Sequence, residues 1–228
     1  MPNELQREKS GFFHDTTGLA IFVFIIAIIN VLSILFFSIL ANANLISSND
    51  YFYLTNTGLS ISFSLSVLIY LRLFKGLTLK QAVKNLNLNL KKLTYRNVAI
   101  GIVVFSILLL MTFLVNVLSG LTSVQISSNA GIIYGTAPFW FYIFSSLIAP
   151  INEEMLFRGF LVPRLGIFFS AMIFGVLHYS YNSTFGIEII LAFIFGIIAG
   201  YVFKKTKSLY PSIIAHILFN TISLFILS

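Results

Sequence analysis

The chain has 228 residues, of which 58% are hydrophobic and only 9% charged, with a net charge of +7 and no cysteine. About a quarter of an ordinary soluble domain is charged, so a soluble globular fold is excluded, and the lack of cysteine excludes disulfides, thiolate metal sites and a cysteine nucleophile. Mean hydropathy is +0.96, and several apolar runs reach the ~20 residues that cross a bilayer core as a helix.

These runs are continuous, without the apolar/polar alternation of barrel strands, so they predict helices. The expected fold is all-α: a polytopic membrane bundle of seven or eight transmembrane helices. In chain order the spans are 18–41, 51–74, 97–119, 138–162, 166–181, 185–203 and 209–227. Basic residues sort into alternate loops: Arg7 and Lys9 before the first span, Arg72 to Arg96 after the second, Arg164 after the fourth, and Lys204, Lys205 and Lys207 after the sixth. The first, third and fifth loops hold no lysine or arginine. The positive-inside rule then places the N-terminus in the cytoplasm and the C-terminus outside a cell membrane. The basic balance is a topology signal, and no nucleic-acid partner is expected.

Ala41-Asn42-Ala43 resembles a signal-peptidase site, but the apolar run before it exceeds a signal-peptide core, so a retained anchor is expected. Residues 75–96 mix lysines with apolar residues and contain no acid. They suit either an interfacial helix on an anionic lipid surface or a solvated topology-setting loop. Gly196 and Gly200 form a GxxxG packing pattern. The chain reads as one membrane domain, with helices lacking motifs over 1–137 and a catalytic core over 138–228.

Within the spans, apart from tyrosines and Arg72 at the end of the second, the ionisable residues are Glu153, Glu154, Arg158, His178, Glu188 and His216. Such groups are costly at membrane depth and usually face a protein interior or a cavity. Glu154 and Arg158 are four apart on one helical face and suited to an ion pair. Glu153 points about 100° away, free to project elsewhere. Phe174 with His178, and His216 with Asn220, share faces in the same way. At 1.5 Å per residue Glu153 lies about 15 Å from Pro163, His178 about 20 Å from Arg164 and His216 about 14 Å from Lys207. Three helices thus bring polar groups to similar depths, where they can converge.

EEMLFR, FGVLH and HILFN fit EExxxR, FxxxH and HxxxN patterns on successive helices. In these three motifs, between about Phe139 and Asn220, the chain resembles the CPBP family of intramembrane proteases, which includes type II CAAX prenyl proteases and bacteriocin-processing or immunity (Abi) proteins. The resemblance implies an intramembrane endopeptidase acting on membrane-associated peptides or proteins. It resembles a bacterial member that processes bacteriocin leaders or pheromone precursors or gives bacteriocin self-immunity. Carried over by position, Glu153 activates water with help from His178, His216 and Asn220 stabilise the oxyanion, and Glu154 and Arg158 support the motif. No cofactor is expected in this scheme. The alternative is zinc held by Glu153, His178 and His216, although HExxH is absent.

Other readings of the same residues are a proton-coupled transporter or channel, and a non-catalytic immunity or scaffold protein. Glu188 reads as interfacial, His14 as part of a polar tail, and Trp140 as an interface anchor. No aspartate lies in a span, which excludes a buried Ser/His/Asp triad.

Overall fold

The computed structural model describes residues 4–122, 137–178 and 187–227. Among them there is no strand, as the continuous apolar runs require. The third loop and the end of the fifth predicted span, at Tyr181, lie outside the described residues. The chain forms two compact units, Met1–Ala82 and Val83–Ser228. Within the second unit the helix of the third predicted span packs against the last helix.

In the first unit α1 (Glu4–Asn42) pairs with α2 (Ser48–Lys75). Helix α2 starts at a capping box, in which Ser47 accepts from the Asp50 amide and Asp50 accepts from the Ser47 amide, and stops at Gly76 in the left-handed region. Asn30 of α1 donates to Ser62 of α2 at 2.9 Å, a polar tie between helices whose outer faces are apolar. Phe24, Leu32 and Phe36 are exposed there, as acyl chains require.

The second unit opens with the short α3 (Leu79–Asn85), which begins just before the boundary, a 3₁₀ turn at Leu90–Lys92, and α4 (Tyr95–Thr122). The segment 75–96 is thus part helical and part irregular. Leu79, Leu90, Leu93 and Tyr95 are exposed beside the lysines, whereas Leu86 is wholly buried. Lys92 donates to Asn87 at 2.6 Å and also reaches the Lys207 carbonyl, tying this segment to the turn before the last helix.

From Phe139 the chain is helical to Leu177, but not uniformly. α5 (Phe139–Ile143) passes through a π-helical turn (Phe144–Ile148) into α6 (Ala149–Glu154), then through a second π-helical turn (Met155–Leu161) into α7 (Val162–Leu177). Pro150 and Pro163 help to explain this, since neither can donate the amide an α-helix needs. The Ala149 amide reaches back to Phe144 and the Val162 amide to Phe157, five residues away in each case. Gly166 (φ 81°, ψ 174°) breaks the run at the predicted cytoplasmic turn, in a conformation that only glycine adopts freely. α8 (Ile187–Thr206) and α9 (Tyr210–Leu227) complete the unit.

Five helical segments among the described residues are long and apolar enough to cross a membrane; the fourth, Phe139–Leu177, is the one broken at Gly166. The chain is a multi-pass helical membrane protein. The described parts of the predicted spans are largely helical.

Small residues allow the close packing. A β-carbon on Gly196 of α8 would stand 2.7 Å from that of Ala171 on α7, and one on Gly200 would stand 2.9 Å from Ile167. The GxxxG pattern therefore marks the α7–α8 seam. Gly196→Ala is expected to cost about 1–3 kcal/mol through overpacking. Thermal unfolding in detergent should show a lowered midpoint for Gly196→Ala, and an unchanged midpoint would place the seam elsewhere.

Candidate active site

The centre of the second unit is a buried carboxylate shared between two cations. Glu154 and Arg158 are 0% and 1% exposed, with Arg158 Nη1 donating to Glu154 Oε1 at 2.8 Å. The predicted i, i+4 pair is therefore present. Arg158 also lies over the rings of Phe174 at 4.3 Å and Phe195 at 4.8 Å. These π faces partly replace the hydration lost by the guanidinium.

The same Glu154 oxygen receives a second donor. His216 Nδ1 lies 3.1 Å from Glu154 Oε1, across 62 residues of sequence. A carboxylate paired with arginine accepts, so Nδ1 donates, and the neutral ring presents a bare lone pair at Nε2. His178 is fixed in the same sense. Its Nδ1 lies 2.8 Å from the Phe174 carbonyl, which can only accept. Nε2 of the neutral ring is again a bare acceptor.

Both Nε2 atoms face Glu153. Glu153 Oε2 stands 3.8 Å from His178 Nε2 and 3.8 Å from His216 Nε2. It has no hydrogen-bond partner among the described residues. These separations are too long for direct hydrogen bonds and leave room for a bridging group. Three acceptor atoms lie within 4.8 Å of one another, and Glu153, Glu154 and Arg158 together carry one net negative charge. A positive charge placed among the three acceptors would offset it. A proton on an imidazole is one such charge, and a metal ion is another.

Asn220 is held by the first π turn. Because the Ala149 amide bonds to Phe144, the Ser145 carbonyl is released from the helix ladder and accepts from Asn220 Nδ2 at 3.0 Å. One Asn220 N–H remains beyond that bond. At the second π turn the Phe157 carbonyl, which accepts from the Val162 amide, also accepts from Ser170 at 2.8 Å. These wide turns bracket Glu153 and Glu154 and supply tertiary acceptors on both sides, a use of π-helical geometry common at functional sites.

His178, His216 and Asn220 line a cavity of about 360 Å³. Its wall is mainly apolar and comes from α4, α7, α8 and α9. Glu188, Asn116 and Thr112 also line it. Glu188 therefore borders the cavity that holds the two histidines, in addition to its predicted place near a helix end.

All six residues singled out from the motifs, Glu153, Glu154, Arg158, His178, His216 and Asn220, thus belong to one site. Residues 135–222 match the family model described as type II CAAX prenyl endopeptidase Rce1-like. Over this segment the chain is similar to the Rce1-like family. The chain is also 31% identical over 80 residues to the uncharacterized protein YpbD of Bacillus subtilis (strain 168). That match covers 35% of this chain and 42% of YpbD, less than half the length of either. No solved structure matches the chain. The Rce1-like segment contains every residue of the convergent site, while the α4 wall of the cavity is supplied from outside it.

Three features escape sequence reasoning: the His216–Glu154 bond, the Ser145 carbonyl that holds Asn220, and Glu188 on the cavity wall. The adjacent Pro150 was the sole sequence signal for the Ser145 arrangement. Removing one member of a buried pair strands the other charge, at a cost of about 3–5 kcal/mol. Arg158→Ala is accordingly expected to lose most of its monodisperse, folded protein in detergent. Wild-type yield and thermal midpoint for Arg158→Ala would show that the pair is not buried as described.

Proposed function

We propose that the chain is an intramembrane endopeptidase cleaving membrane-associated peptides or proteins, with Glu153 as the base that activates water. The observation that carries this reading is the gap in front of Glu153: an unpartnered carboxylate oxygen 3.8 Å from two imidazole nitrogens, beside a cavity lined by both histidines. A water there can be held by Glu153 and His178 and lose its proton to the carboxylate as it attacks a peptide carbonyl; Glu153 then passes that proton to the leaving amine as the C–N bond breaks. His216, protonated on Nε2 as well as on the Nδ1 that donates to Glu154, donates from Nε2 toward the developing oxyanion. Asn220 adds its remaining N–H. Similarity to an endopeptidase family supports the reaction class. The resemblance to bacterial family members supports a small peptide substrate, a bacteriocin leader or pheromone precursor, with self-immunity as the related role.

A second reading is favoured by one observation. One carboxylate oxygen and two imidazole nitrogens, all within 4.8 Å, form a donor set that zinc accepts, and the Glu154–His216 bond has the form of a carboxylate that orients a metal-binding histidine. Glu153, His178 and His216 would hold the ion, which would supply Lewis-acid polarisation of a water or carbonyl. A proton relay is less well supported, because these three residues cluster at one point rather than in series across the bundle. The distribution of basic loops supports a cytoplasmic N-terminus and an external C-terminus.

Glu153→Gln preserves shape and removes the base, so it is expected to abolish cleavage while the protein remains folded in detergent. Mass spectrometry of membrane peptides from cells making wild type or Glu153→Gln protein checks this; identical peptide sets would overturn Glu153 as base. Asn220→Ala is expected to reduce kcat by about 100- to 1,000-fold with little change in KM. Purified protein is expected to keep its activity through prolonged chelation. One tightly bound zinc per chain, whose removal abolishes activity and whose return restores it, would establish the metal reading instead.

A further inference from the structure

Among the described residues the cavity wall runs from the histidines toward the start of α8. Its α8 wall runs from Phe195 back to Ile187, the half of that helix remote from Lys204 and Lys205. Its α4 wall runs from Leu108 to Asn116, remote from the basic start at Tyr95 and Arg96. The space in front of the convergent site therefore lies on the side away from the basic loops.

At the far end stands one acid. Glu188, in the first turn of α8, is half-buried and is the sole carboxylate lining the cavity. It makes no hydrogen bond or ion pair among the described residues. The rest of the wall is largely apolar, with Asn116, Thr112 and Ser223 as uncharged polar neighbours. A carboxylate placed on an apolar wall gains most from a cation brought by whatever enters. An anion entering the same place is repelled.

The distance sets a register. Glu188 precedes Phe195 by seven residues, about 10 Å of helix. The Phe195 ring centroid is 5.1 Å from that of His216. An extended peptide advances about 3.3–3.6 Å per residue, so this separation corresponds to about three residues.

We propose that Glu188 is a specificity residue that receives a cationic group of the substrate, a lysine or arginine side chain or a free amine, about three residues from the scissile bond. It disfavours an acidic side chain or a free terminal carboxylate at that place. As a statement about cleavage sites this rests on the endopeptidase reading; as a statement about binding it does not.

The test uses the full chain in vesicles of zwitterionic phosphatidylcholine. The probes are apolar peptides of alanine and leucine, identical except for one Lys, Gln or Glu moved through successive positions. Binding is measured on Glu153→Gln protein with fluorescent peptides, and cleavage on wild type by mass spectrometry. Lys peptides are expected to bind about five- to tenfold more tightly than Gln peptides, the range for one partly buried charge pair. The additional change Glu188→Gln should bring that ratio to about one, and Glu188→Lys should make the Glu peptides the tighter ligands. A reversed preference requires folded protein, so misfolding cannot imitate it. Where peptides are cleaved, the preferred Lys should fall about three residues from the broken bond. Equal binding of Lys and Gln peptides, or a preference unchanged by Glu188→Gln, would overturn the proposal even with cleavage present. Binding that depends on Glu188 with no cleavage in wild type would uphold the site and sink the endopeptidase reading.

Discussion

The site depends on a single oxygen, Oε1 of Glu154. Arg158 and His216 both donate to it, so one buried acceptor joins α6, the following π turn and α9. Charges removed from water are tolerated when they are paired and hydrogen-bonded, and a carboxylate held between a guanidinium and an imidazole meets that condition. The consequence is chemical as well as structural. With Nδ1 of His216 committed to Glu154, its other nitrogen must face Glu153. The neighbouring carboxylates thereby take different work, one holding the fold and the other facing the gap.

The helix that carries them is irregular for a reason. The first π turn releases the Ser145 carbonyl for Asn220. Phe157, the acceptor of the Val162 amide in the second, takes Ser170 on its other lone pair. Pro150 and Pro163 lie beside these turns, so part of the irregularity is written directly in the chain. Precision at a buried polar site requires supporting contacts of this kind, because a loosely held donor loses its value in the transition state.

Much of this was legible in the sequence. Apolar run length predicted the helices, and the i, i+4 spacing predicted the Glu154–Arg158 pair and the shared faces of Phe174 with His178 and His216 with Asn220. Equal depths on three helices predicted convergence. Helical periodicity describes neighbours one turn apart, so it was silent on His216 Nδ1 meeting Glu154 and on Asn220 meeting Ser145, contacts fixed by packing between distant segments. Glu188 was read from its nearness to a helix end, which says nothing about which face borders a cavity. α4 bears no motif, yet Gly101 lets it approach Pro211 and Ile214 closely, and its far half walls the cavity.

The central claim is that both histidines are pinned through Nδ1–H, leaving Nε2 for chemistry. Nitrogen-15 solid-state NMR of histidine-labelled protein in bilayers reads this directly, since the chain has only three histidines and His178 and His216 can each be assigned by substitution. The account predicts that Nδ1 carries a proton in both rings, with the His216 Nδ1 signal altered by Glu154→Gln. A ring found as the Nε2–H tautomer with a bare Nδ1, in either histidine, would contradict it.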